Sequence, residues 1–180
     1  MRYVNRLLLV LLLAVAPVVS GCGYSLAGRG SFLPEYIRNI GVPPFTNSTP
    51  VFDIDRRVSE HVRAELSGRG KYKVFPTEAG NDAVLTGEIT SIMVTPVTFN
   101  QQNQASRYAF IMSARVEFKD LKSGKVLWSN PAVQFREEYE PATVGAVADV
   151  TTFFGQDVNA YDRIATEFAR SVVSALLEAF

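Results

Sequence analysis

The sequence predicts an α+β domain in which two helices pack on one face of a mixed four- to five-stranded sheet, in β-α-β-β-β-α order. Two segments repeat apolar residues on one side only at helical spacing, and the remaining segments alternate apolar and polar residues as strands do. Elements with a single apolar face must bury it against one another, which gives a helix layer on a sheet. The domain begins with a strand, a helix and a strand, and this order predicts that the two strands are parallel.

The first strand is predicted over residues 36–45, where Pro43 and Pro44 end the hydrogen-bonding ladder. The polar stretch 47–50 then predicts a turn before a helix. That helix covers residues 53–67, because one side repeats an apolar residue at every fourth position and glycine follows. The apolar positions of this helix are Ile54, Val58, Val62 and Leu66.

A long hairpin is predicted after a short strand at residues 71–75. Its strands cover residues 83–99 and 107–121, and a polar loop joins them. Strict alternation predicts which side chains point toward the helices. On the first strand these are Leu85, Ile89, Met93 and Val97, and on the second Tyr108, Phe110, Met112, Ala114, Val116 and Phe118.

The last strand is predicted to start at residues 125–128 and to continue past Pro131. Residues 141–156 have only weak periodicity, and we predict no regular structure there; Phe153 and Phe154 could either dock on the sheet or lie exposed. Residues 159–180 carry a broad apolar stripe, which predicts the second helix.

The amino terminus is typical of a bacterial lipoprotein signal. Arg2 and Arg6 precede an unbroken apolar stretch at residues 7–19, and the chain's one cysteine, Cys22, follows a glycine. We therefore predict a signal peptide at residues 1–21 and acylation of Cys22. A lipidated tether would cover residues 22–34 and a single domain residues 35–180. Gly23 rather than Asp follows the cysteine, and resemblance to lipoproteins of two-membraned bacteria then implies delivery to the outer membrane, on its periplasmic side.

The charge of the chain argues against nucleic acid as a partner. The sequence holds 18 basic and 18 acidic residues, and loss of Arg2 and Arg6 with the signal leaves a net charge of −2. Nucleic-acid-binding domains carry a strong basic footprint, and none is visible.

The residues also argue against an enzyme. A nucleophile needs an activating base beside it, but the only cysteine is assigned to lipid and His61 has no evident partner. Glu137 points opposite to Glu138 and Glu140 on a strand, so these carboxylates do not converge. We find no phosphate-binding loop, no metal-ligand cluster and no cofactor motif.

One feature of the hairpin is unusual for a soluble strand pair. Strict alternation places Ile92 and Val94 on the outward face near its tip, opposite Ala109 and Ile111, so the tip is expected to be apolar on both faces. Either residues 141–156 cover this patch or it is a docking surface for a protein or for acyl chains. On the second reading, Ile92→Asp or Ile111→Asp should weaken assembly with a partner more than folding.

Four stretches of the chain after the signal have a distinctive sequence: residues 22–28 (CGYSLAG), 40–49 (IGVPPFTNST), 82–89 (DAVLTGEI) and 124–128 (GKVLW). Through them the chain resembles the LptE family of lipopolysaccharide-assembly lipoproteins, and the similarity covers most of residues 22–180.

The resemblance implies a plug and assembly partner for a large outer-membrane β-barrel, an LptD-like translocon that inserts lipopolysaccharide into the outer leaflet. It also implies that lipopolysaccharide binds and that the anchor holds the protein to the outer membrane. Lipopolysaccharide phosphates need cations. The candidate cations are Arg107, Arg115, Lys119, Lys122 and Lys125, each of which could instead be an ordinary solubilising charge.

A second resemblance covers residues 39–75 alone. This part is also similar to lipoproteins that activate peptidoglycan synthases, which share the strand, the Asn-Thr turn and the helix. The alternative function is therefore a periplasm-facing lipoprotein that binds and activates such a synthase. The short tether and the carboxy-terminal helix favour the plug.

Overall fold

The computed structural model describes residues 33–69, 71–140, 153 and 160–180. Eight elements lie within these ranges. They are β1 Asn39–Gly41, β2 Thr46–Asn47, α1 Ile54–Gly68, β3 Lys73–Phe75, β4 Ala83–Phe99, β5 Ala105–Asp120, β6 Val126–Tyr139 and α2 Ala160–Glu178.

The strands form one mixed sheet, which confirms the predicted fold class. Its order is β3-β1-β4-β5-β6, and β2 pairs with β4 beside that path. β1 is parallel to β3, as the strand-helix-strand order predicts, and also to β4, while β4, β5 and β6 are antiparallel. The sheet has six strands rather than four or five.

The extra strand, β2, forms where the sequence predicts a turn. Pro43 and Pro44 interrupt the predicted first strand, so only three residues pair as β1, and the chain rejoins the sheet at Thr46 opposite Glu88 of β4. Between the two pieces, the backbone N–H of Phe45 donates to the Ser59 hydroxyl at 2.8 Å. The helix thus supplies the hydrogen bond that the broken strand lacks.

The two helices run in the same direction and in register. Arg57 Nη1 lies 2.7 Å from Asp162 Oδ1, and the Arg69 guanidinium donates to the Ser174 hydroxyl at 3.1 Å. At both ends of the helix pair, an α1 residue contacts the α2 residue that lies 105 positions later in the sequence. This constant spacing is what parallel helices in register produce.

Both helices and the inner face of the sheet share one hydrophobic core. All four predicted α1 positions are fully buried, as are the six inward residues predicted on β5, apart from slight exposure of Tyr108. The Phe45 ring packs so closely on β4 that position 87 has no room for a side chain. A Cβ at Gly87 would lie 2.2 Å from the ring. Glycine at position 87 is therefore what lets Phe45 cover β4.

The predicted facing of β4 is wrong beyond Ile89. Ile89 pairs with Ala114, but the next pair is Ser91 with Ser113, so Thr90 is an extra residue in a β-bulge. The bulge reverses the alternation, and Ile92 is consequently buried opposite Met112 instead of facing outward.

The same reversal affects the neighbouring positions. Val94 packs against the core, opposite Phe110, whereas Met93 and Val97, predicted to point inward, are exposed. The face of the sheet on which each β4 side chain lies is therefore set by the register of β4 with the regular strand β5. Counting odd and even positions along the sequence is not enough to predict it.

Candidate functional site

The candidate site is the distal hairpin, which we define as β4 from Thr90 onward, the loop at residues 100–104 and β5 up to Ala114. In this region β4 pairs with β5 along one edge. Along its other edge the last strand to pair with it is β2, which ends at Asn47 opposite Ile89. Among the described residues, the other edge of β4 is unpaired past this point. Pro96 lies on this edge, where a proline removes no ladder bond.

The outer face of the distal hairpin is apolar and open. Met93 is 49% exposed and lies opposite Ile111, which is half-buried. Val97 and Phe99 are also exposed, at 38% and 55%, but they lie nearer the tip, beyond further register shifts after Pro96. Ala109 is buried but outside the core cluster. Even with the corrected register, the hairpin is apolar on both faces.

The outer face nearer the other end of the hairpin is polar by contrast. Glu88 accepts from Arg115 at 2.7 Å and from the Ser48 hydroxyl at 3.0 Å. Glu88 and Arg115 line a shallow groove of about 340 Å³ together with Thr46 and Glu117. The outer face is therefore divided into an ion-paired half and an apolar half.

The inner face of the distal hairpin is covered by aromatic side chains. Phe153, only 2% exposed, lies 5.4 Å from Phe110 and 4.3 Å from Tyr139 between ring centroids. Of the two alternatives for this residue, docking on the sheet is confirmed; the rest of residues 141–156 lies outside the described residues. Burial raises the pKa of Tyr139, whose hydroxyl has no hydrogen-bond partner within the described part of the chain.

The loop at the tip is held by one side chain. The Asn100 side-chain oxygen accepts the backbone N–H groups of Gln102 at 3.0 Å and Gln104 at 2.9 Å, and Asn103 takes a positive φ of 58°. These bonds fix the turn, so the tip presents Phe99 on an ordered support.

The five candidate cations do not converge on one site. Arg107 pairs with Glu140 beside the tip, and Arg115 pairs with Glu88 midway along β5. Lys119 lies 12 residues from Arg107 along the same strand, or about 40 Å away at ~3.3 Å per residue. Lys122 and Lys125 are in the β5–β6 turn, at the same end as Lys119.

That end, which we call the base, holds the start of the described chain in a carboxylate network. Asp82 pairs with Lys122 at 2.7 Å and accepts the Asn39 backbone N–H at 2.9 Å. The Lys122 hydrogen bond and the backbone N–H groups hold the pKa of Asp82 at about 2.

Asp120 plays the matching role on β5. It accepts the Ser123 hydroxyl at 2.6 Å and the Tyr36 hydroxyl at 2.7 Å, and these bonds lower its pKa to about 2. The bond from Tyr36 ties the segment before β1 to the end of the hairpin.

Several predicted features cannot be located. Cys22 and the signal peptide lie outside the described residues, so acylation remains a prediction.

Within the described ranges, no group of His, Cys, Asp or Glu side chains is arranged to hold a metal ion. Neither of the two described helices has the length and hydropathy that a membrane span requires.

Sequence reasoning missed two parts of the surface. The bulge at Thr90 exposes Met93, and no residue in that stretch signals a bulge. Phe52, next to the first helix, is 87% exposed. Its position just outside the apolar repeat of α1 was the available signal, because Ile54 begins the buried stripe.

The fold and the site define a class of protein by architecture: an α+β domain with a helix layer on one face of its sheet and an exposed apolar surface on its distal hairpin. The sequence model of the LptE family, described as lipopolysaccharide-assembly, matches residues 37–176. The chain therefore belongs to the LptE family. It is an outer-membrane lipoprotein of the lipopolysaccharide-assembly type, and the family is non-enzymatic.

Solved structures share the fold at low identity. A PelC dodecamer from Paraburkholderia phytofirmans is 16% identical with a TM-score of 0.50, over 79% of this chain and 89% of that one. A hypothetical protein from Chlamydia trachomatis is 13% identical with a TM-score of 0.50, over 78% and 96% of the two chains. These likenesses show the fold alone. No curated protein matches the sequence.

Proposed function

We propose that this chain is the plug and assembly partner of an LptD-like outer-membrane β-barrel that inserts lipopolysaccharide into the outer leaflet. The observation that carries the proposal is the exposed apolar outer face of the distal hairpin, in a protein of the lipopolysaccharide-assembly family. The family match also favours this function over activation of a peptidoglycan synthase.

The surface has the composition of a protein-binding patch. Its apolar centre, at Met93 and Ile111, adjoins the outer-facing side chains of β6, where Arg136 pairs with Glu138 at 2.9 Å. An apolar centre with a charged rim is the usual anatomy of a protein interface. Covering the patch would remove apolar area from water, at about 25 cal/mol for each Å².

The base and the tip of the hairpin have different surroundings. Because Tyr36 is bonded to Asp120 at the base, a tether from Cys22 would reach the domain at this end. Each hairpin strand spans roughly 50 Å at ~3.3 Å per residue, so the apolar tip lies far from the anchored end. This arrangement suits a wedge that extends from the membrane anchor into a partner.

We further propose that lipopolysaccharide contacts the tip, with Arg107 as the cation. An amphipathic lipid carries phosphates beside acyl chains, so its site needs a cation beside an apolar surface. Of the five candidates, only Arg107 lies at the apolar end, opposite Thr98 of β4. Its bond to Glu140 would have to open or be shared with a phosphate.

Co-purification tests the plug. Met93→Asp places a charge on the apolar outer face, and Val126→Asp is a matched control because Val126 is 50% exposed on β6 at the base. We expect acylated wild type and Val126→Asp to recover the barrel protein from outer membranes, and Met93→Asp to lose it. Equal recovery by all three would contradict the proposal.

Lipopolysaccharide binding is tested separately with the soluble domain. Arg107→Gln should weaken binding about tenfold, as loss of a charge-assisted hydrogen bond does. Lys125→Gln at the base should bind as wild type does. If both variants weaken binding equally, the phosphates are attracted by the basic residues collectively, and the proposed role of Arg107 is wrong.

A further inference from the structure

Phe52 is an aromatic side chain held outside the fold. It is 87% exposed, while Val51 before it is 2% exposed and Ile54 after it is fully buried. The two buried neighbours fix the direction of the backbone, so the ring cannot turn into the core without unpacking them.

The loop that carries Phe52 is held by hydrogen bonds. The Asn47 side-chain amide donates to the Val51 carbonyl at 2.7 Å, and its oxygen accepts the Thr49 backbone N–H at 2.9 Å. Asp53 then takes the left-handed conformation, with φ of 67°, which is uncommon for a residue other than glycine. The ring is therefore presented in one direction before any partner arrives, and this preorganisation lowers the cost of binding.

The charges beside Phe52 are matched to one another. Arg56 pairs with Asp53 at 2.7 Å and with Glu60 at 2.8 Å, and the Arg56 hydrogen bond holds the pKa of Asp53 below its usual range. Arg57 pairs with Asp162 at 2.7 Å. Since these cations are already paired, the surroundings of the ring favour an uncharged contact over a phosphate or an acidic peptide.

The loop begins where the distal hairpin begins. The Ser48 backbone N–H donates to the Ile89 carbonyl at 2.9 Å, one residue before the bulge at Thr90. The loop that carries Phe52 thus leaves the sheet at the residue where the distal hairpin, with the proposed partner-binding patch, begins.

We propose that Phe52 is an anchor that inserts into an uncharged apolar pocket of the same barrel protein that covers the distal hairpin. The inference rests on the proposed function and adds a second, independent contact. Aromatic side chains that fill a partner pocket often carry much of the binding free energy of an interface. A bilayer surface is a poorer fit, because peripheral membrane binding relies on unpaired basic residues around a broad apolar face.

The test uses the acylated full chain bound to its barrel in detergent-solubilised outer membranes. Phe52→Ala is compared with Phe75→Ala, which removes another exposed phenylalanine, 41% exposed on the edge strand β3, and with Met93→Asp. We expect Phe52→Ala to speed dissociation from the barrel at least tenfold, with an unchanged melting temperature, and Phe75→Ala to behave as wild type. A photoreactive phenylalanine analogue at position 52 should cross-link to the barrel.

The outcomes separate the two proposals. If Phe52→Ala keeps wild-type dissociation while Met93→Asp loses the barrel, the anchor is overturned and the plug stands. If both variants keep the barrel, both proposals fail. If the unacylated domain floats with phosphatidylethanolamine–phosphatidylglycerol vesicles and Phe52→Ala abolishes flotation, the ring binds lipid and the protein pocket is wrong.

Discussion

The half of the β4–β5 hairpin nearer the base and the distal hairpin are built from the same two strands but have different surroundings. In the half nearer the base, β4 has neighbours on both sides, helices cover the inner face, and Glu88 and Arg115 pair on the outer face. In the distal half, β4 has one unpaired edge among the described residues, its outer face exposes Met93, and Phe99 is exposed at the tip.

This difference shows how the fold separates stability from recognition. The proximal half buries both its apolar side chains and its hydrogen-bonding edges, which is what makes a sheet stable. In the distal half only the inner face is covered by other side chains, and apolar side chains on the outer face stay exposed. Changes in the proximal half should therefore alter folding, and changes on the distal outer face should alter assembly.

The largest expected effect comes from adjacent residues on opposite faces of the distal half. Ile92→Asp places a carboxylate in the core opposite Met112 and should cost about 3 kcal/mol or more of unfolding free energy. Met93→Asp should change it by no more than about 0.5 kcal/mol, because Met93 is exposed. Urea denaturation of both variants measures the contrast.

Comparable losses at positions 92 and 93 would mean that the bulge at Thr90 is absent in solution. The expectation that Ile92→Asp would affect assembly more than folding is replaced by this one, since Ile92 faces the core. Ile111, which is half-buried opposite Met93, remains a candidate partner contact.

A smaller effect is expected at Gly87 in the proximal half. Gly87→Ala puts a methyl group 2.2 Å from the Phe45 ring, and overpacking of this kind costs about 2 kcal/mol. Thermal unfolding should show a lower melting temperature, and Phe45→Leu should relieve part of the loss in the double variant. Gly124→Ala is not a suitable control, because Gly124 has a positive φ of 72°.

The mildest test is acid. Asp82 has a pKa of about 2 in the folded protein against about 3.9 when unfolded, so its ionised form stabilises the fold above pH ~4. As pH falls from ~4 toward ~2, that contribution is lost, and the same holds for Asp120. Denaturation series at several pH values should show the decline, and Asp82→Asn should make it shallower. An identical slope in Asp82→Asn would exclude the base network as its source.

The elements of the fold were largely predictable because their apolar residues recur at regular spacing. The helix at Ile54 and the alternation of β5 depend only on local period and burial. The bulge was not predictable, since Thr90 is an ordinary strand residue and the register depends on pairing with Ser113 and Ala114 of β5. For the same reason β2 was missed, because its two residues pair only in the assembled sheet.

The candidate site was predicted in character but not in composition. The excess of apolar residues near the tip indicated a surface, yet its members changed when the face of β4 reversed. The place of Phe52 just outside the apolar repeat of α1 was a signal for its exposure, but the left-handed Asp53 beside it and the buried Val51 are visible only in the structure. Among the five basic candidates, only distance along β5 separates Arg107 from the rest.

The shared direction of the helices has a mechanical consequence. Arg57, His61 and Arg69 each meet a residue 105 positions later in α2, namely Asp162, Thr166 and Ser174. Sliding one helix along the other would break all three contacts together, so the pair resists shear as a single rigid plate. The alignment of the two helices is thus held at three points along their length rather than at one.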